Sequence, residues 1–68
     1  SIYNVACCYS LLKNYDEDSA TYSYLYFALE SGYPHLDYLL NDKDLEFTFN
    51  HFLTLKEYIT KDFLYKKN

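Results

Sequence analysis

Apolar positions recur at helical spacing from the first residues of the chain. Ile2, Val5, Ala6, Tyr9 and Leu12 fall on one stripe, and Tyr3, Cys7 and Ser10 on a neighbouring one, which predicts a helix over 2–13. The polar stretch 14–19, with Asp16, Glu17 and Asp18 in a row, interrupts the pattern and supplies Asp18 or Ser19 as an N-cap. A second helix is predicted over 18–31. Tyr22, Leu25, Tyr26 and Leu29 form one stripe, and Tyr24, Phe27 and Ala28 an adjoining one, so little of its circumference is polar and it needs neighbours on more than one side. Gly32 is its stop signal. A strand is the competing reading at Tyr22, Tyr24 and Tyr26, which alternate with other residues, but the alternation fails over 25–29 and no partner strand is evident.

Beyond Gly32, Pro34 suits the first turn of a short helix over 35–40. Asn41, Asp42, Lys43 and Asp44 have turn composition, and 45–49 has room for a turn or two of helix. Thr54 with Glu57 three residues on matches a capping box, and Leu55, Ile59 and Phe63 continue at four-residue spacing through a last helix over 55–65. The expected fold is all-α: an antiparallel helix-turn-helix, then short helices and a closing helix. Tyr9, Tyr22 and Tyr26 are its expected core tyrosines, and Tyr3, Tyr33 and Tyr65 the ones expected at an interface.

Composition narrows the functional classes. The chain has 68 residues, room for one small domain over 1–68, and half of them are apolar, with ten Tyr and five Phe, so disorder is not expected. The net charge is −4, with six basic residues, all of them lysines, of which Lys66 and Lys67 make the only adjacent pair. Nucleic-acid binding needs a basic footprint and is not expected. Uncharged runs are shorter than the roughly 20 residues a spanning helix needs, so no membrane partner is expected either. Neighbouring Cys7 and Cys8 are poorly placed to bridge each other, which suggests a reduced, cytoplasmic setting. The absence of methionine adds the expectation that the chain is part of a longer protein.

Ile2, Val5, Ala6 and Tyr9 have the spacing of the large, aliphatic, small and tyrosine positions of the tetratricopeptide repeat. Asn14, Tyr15, Asp16 and Glu17 resemble the turn of that repeat, and Thr21, Leu25 and Ala28 its second helix. About three extra residues fall near 16–20, and Ala20 with Tyr24 offers a second register. The segment 36–46 resembles the tail after a final repeat, although Lys43, Phe49 and Phe52 depart from the usual residues. The resemblance, over roughly 2–59, implies the last repeat and capping segment of a larger solenoid. It implies a non-catalytic protein-protein interaction scaffold whose partner is another protein, a peptide or neighbouring repeats, with self-association of the isolated chain. The alternative is an independent helical dimerisation module without repeat ancestry.

By the same resemblance Tyr3, Asn4, Cys7, Ser10 and Leu11 take groove-side positions, with the Asn4 amide set to hold a ligand backbone or carboxylate, or else standing as an ordinary exposed asparagine. Cofactors, metals and catalysis are not expected. Cys7, Cys8, His35 and His51 would have to converge from three segments to bind zinc, nothing activates a Cys-His pair, and the carboxylates lack the glycine and closing glutamate of a calcium loop.

Overall fold

Ser1 opens the first helix by accepting the backbone N–H of Asn4 on its hydroxyl. In this computed structural model, which describes residues 1–14 and 18–65 but not the Asp18 side chain, α1 spans Ile2–Leu11. It stops short of the expected end because Lys13 takes a positive φ of 52°, and the N–H groups of Leu12 and Lys13 turn back to the carbonyls of Tyr9 and Ser10. Residues 15–17, expected to form the turn, lie outside the described residues, as does the Lys66 and Lys67 pair.

Helix α2 spans Asp18–Glu30. Ser19 stands in its first turn, so it does not cap, and residue 17, which precedes the helix, is outside the described residues. The stop at Gly32 is as expected: φ is +88°, Gly32 N–H donates to Leu29, and Tyr33 N–H donates to Ala28, the paired bonds that close a helix on a left-handed residue. Tyr9 stacks on Tyr24 near one end of the hairpin and Tyr3 on Tyr33 near the other, so α1 and α2 run antiparallel. Ala6 and Ala28 are buried, and these short side chains let the two backbones approach.

The second half of the chain folds back over one side of this hairpin. Helix α3 covers Leu36–Leu40, a 3₁₀ turn covers Lys43–Leu45, and α4 covers Glu46–His51. The 3₁₀ turn and α4 lie on α1. Helix α5, Leu55–Ile59, returns beside α2, with Leu55 and Ile59 next to Leu25 and Leu29. From Thr60 to Tyr65 the helix widens to π geometry, beginning where the Thr60 hydroxyl donates to the Lys56 carbonyl. Among the described residues there is no strand, and no helix is long and apolar enough to cross a membrane.

The core joins Tyr3, Ala6 and Cys7 of α1 to Leu25, Ala28 and Leu29 of α2, and closes them with Leu36, Leu39, Leu45, Phe49, Leu55 and Ile59. Three sequence expectations change. Tyr9 is only half-buried, stacked on Tyr24, and Tyr22 and Tyr26 are exposed, because α5 meets Leu25 and Leu29 of α2 through Leu55 and Ile59 and leaves these two rings at its margin. Conversely, Tyr3 is buried and Tyr33 half-buried on top of it, while Tyr65 is exposed. Thr54 stands at the α5 N-cap, but its side chain makes no capping bond; its backbone is already helical, at φ −88° and ψ −7°.

Candidate functional site

Positions 3, 7 and 10 of α1 share one face, and that face is covered by the chain itself. Asp42, at the head of the 3₁₀ turn, organises the contact. Its Oδ1 accepts the Asp44 backbone N–H at 3.0 Å, and its Oδ2 accepts the Tyr3 hydroxyl and, at 3.8 Å, the Cys7 thiol. One helical turn on, the Thr48 hydroxyl donates to Ser10 Oγ at 2.9 Å, with both residues buried. The Tyr33 ring lies over Tyr3 with centroids 4.5 Å apart.

Burial and the neighbouring carboxylates hold protons on this cluster. The Cys7 thiol is pushed up to about 11, first by desolvation and then by the charges of Asp42 and Asp44, with the Tyr3 hydroxyl acting in the opposite direction. Tyr3 is raised far above the ordinary tyrosine range by desolvation and by its bond to Asp42. A thiol so placed is protonated at neutral pH and is a poor nucleophile. Because the folded value lies above the ordinary 9.0, the folded state retains a proton that the unfolded chain releases. The stabilisation is whole below pH 9 and is lost as pH rises towards about 11. The thermal midpoint, followed by circular dichroism, is expected to fall across that window, and less steeply in Cys7→Ala. An unchanged slope in the variant would remove Cys7 as a contributor.

Among the described residues, the atoms grouped closely enough to hold a metal ion are the Cys7 sulfur and carboxylate oxygens of Asp42 and Asp44, within 4.8 Å of one another. Both Asp42 oxygens already accept hydrogen bonds. The soft ligands considered from sequence do not converge: Cys7 is buried, whereas Cys8, His35 and His51 are exposed, and both cysteines are free thiols.

The five positions expected at a groove therefore divide. Tyr3, Cys7 and Ser10 lie beneath the 3₁₀ turn and α4, whereas Asn4 and Leu11 are exposed and share a face with Cys8. In the sequence Asp42 is one of several acids suited to solvated turns and helix caps, and nothing there marks it as the partner of Tyr3 and Cys7. The Asp42, Lys43, Asp44 spacing of a self-capping turn was its one local signal.

Two exposed apolar surfaces remain. On the side of the hairpin away from the tail, Ile2, Val5, Leu12 and Phe27 are 38–63% exposed beside the Tyr9 and Tyr24 stack. Residues 1–12 contain no charged side chain, so the α1 part of this flank carries none. On the other side of α2, a groove of about 500 Å³ runs towards α5 between Tyr22, Phe52, Leu55 and Tyr58.

No protein-family model matches the chain, and no match was found among curated proteins or solved structures.

Proposed function

We propose that this chain is a non-catalytic protein-protein interaction module, a terminal tetratricopeptide-like hairpin with its capping segment, which offers its uncovered flank to a helical neighbour. The observation that carries the reading is the asymmetry of the hairpin. The tail covers one side, while Ile2, Val5, Leu12 and Phe27 leave the other apolar and accessible. The spacing of Ile2, Val5, Ala6 and Tyr9 supports repeat ancestry, since in stacked helical pairs each unit hides such a flank against the next. Protonation of Cys7 and engagement of both Asp42 oxygens within the chain favour a structural role for the cluster over catalysis. Neighbouring repeats of the same protein or a separate protein fit the flank equally, and the reduced cytoplasm suits its free thiols.

A second reading, an independent dimerisation module, is favoured by the lack of charge on α1, since two acidic chains can meet there without burying like charges. Both readings make the flank adhesive. Sedimentation velocity is expected to show reversible self-association that rises with concentration, and Val5→Asp or Phe27→Asp is expected to hold the chain at the monomer. A stable monomer at millimolar concentration would overturn both.

A further inference from the structure

We propose that the uncovered flank is a two-fold seam between copies of this chain, in which α1 packs antiparallel on α1 of a second copy and the two Cys8 side chains meet near the axis. It rests on the flank being adhesive, and it names the partner, its orientation and the residues that meet.

The face of α1 opposite the buried Tyr3, Cys7 and Ser10 is centred on Val5, Cys8 and Leu12, the last of these a C-cap whose backbone is still helical at φ −66° and ψ −19°. Their spacings of three and four residues are those at which one helix lays a seam along another. All three are exposed, Val5 at 38% and Leu12 at 63%. Ile2 widens the apolar strip towards α2, and Asn4 and Leu11 border it on the other side. Between two branched side chains, Cys8 is short, so a second helix can close on α1 there. The 3₁₀ turn and α4 lie on the buried face and leave this approach open.

Charge and shape specify the occupant. Each copy carries a net −4, yet residues 1–12 hold no charged side chain, so an acidic chain can meet itself on this strip without like charges at the contact. A charged partner surface would be desolvated against the strip with no counter-charge to receive it. The seam is also self-complementary when the copy is turned end for end about Cys8. Val5 of each chain then faces Leu12 of the other, a smaller side chain against a larger one, and the helix dipoles oppose. A parallel pair would instead set Leu12 on Leu12 and bring two Lys13 ammonium groups to one end. Because α1 has only ten residues, the contact is smaller than a standard interface, and a dissociation constant of about 0.1–1 mM is expected.

Diamide tests the geometry on the whole chain, since it takes up two electrons and two protons as two thiols join in a disulfide. At a chain concentration of about 0.5 mM, a covalent dimer through Cys8 is expected to form about tenfold faster than in Val5→Asp. Cys8→Ser should give no such dimer and still self-associate in sedimentation velocity. Orientation is read in the Cys8→Ser background, where Val5→Cys and Leu12→Cys chains, once mixed, should cross-link to each other about tenfold faster than either does to itself. Faster cross-linking of Val5→Cys to itself would overturn the antiparallel seam. Self-association with Cys8 oxidising no faster than in Val5→Asp would remove the seam and leave the adhesive flank standing, whereas a monomer throughout would remove both.

Discussion

Leu25→Ala is expected to lower the free energy of unfolding by about 2–5 kcal/mol, the cost of removing a fully buried leucine and leaving a void. Leu25 is 1% exposed and lies beside Leu29, Leu55 and Ile59, where α5 meets α2. A chain of this length has roughly 3–10 kcal/mol to lose, so the variant should give up a large share of its stability. Leu53→Ala is the matched control. At 81% exposure it should change stability by less than about 0.5 kcal/mol. Urea midpoints read by circular dichroism compare the two, and near-equal midpoints would mean that α5 is not seated on Leu25.

Asp42→Ala is expected to cost about 1–3 kcal/mol, far more than an ordinary surface aspartate. It strips the acceptor from the buried Tyr3 and from Cys7, and it uncaps the Asp44 N–H. Asp42→Asn keeps one carbonyl oxygen for these donors and should recover part of the loss. The same variant separates hydrogen bonding from charge, because without the negative charge the Cys7 value should relax towards the ordinary one. An Asp42→Ala chain as stable as its parent would show that the 3₁₀ turn is held to α1 by Leu45 and Phe49 alone.

How far the fold is legible in the sequence can be argued from particular residues. The helices of the hairpin, the stop at Gly32 and the all-helical class follow from local periodicity and turn chemistry, which act within a few residues of each other. The side of each helix that faces inward was harder to read. Ile2, Val5, Ala6, Tyr9 and Leu12 make a more hydrophobic stripe than Tyr3, Cys7 and Ser10, yet the structure buries the second set under the tail and exposes most of the first. Polar atoms on the buried stripe are tolerable because Asp42 and Thr48 arrive to satisfy them, and those partners stand 35–39 residues away. Thr54 shows a similar limit: its spacing to Glu57 is right for a capping box, but capping also needs a non-helical backbone at the cap residue.

The candidate surfaces divide the same way. An apolar flank without charge could be read directly from residues 1–12, because composition alone decides whether a helix face can meet another without burying charge. The aromatic groove could not, since Tyr22, Phe52 and Tyr58 come from separate segments and acquire a common wall only when α5 folds back beside α2. Periodicity and turn residues by themselves determined which stretches are helical and where they stop, for these depend on backbone preferences and near neighbours. Which stripe is hidden, which carboxylate is held and which rings line a groove were decided by tertiary packing, because each depends on contacts between segments far apart in the chain.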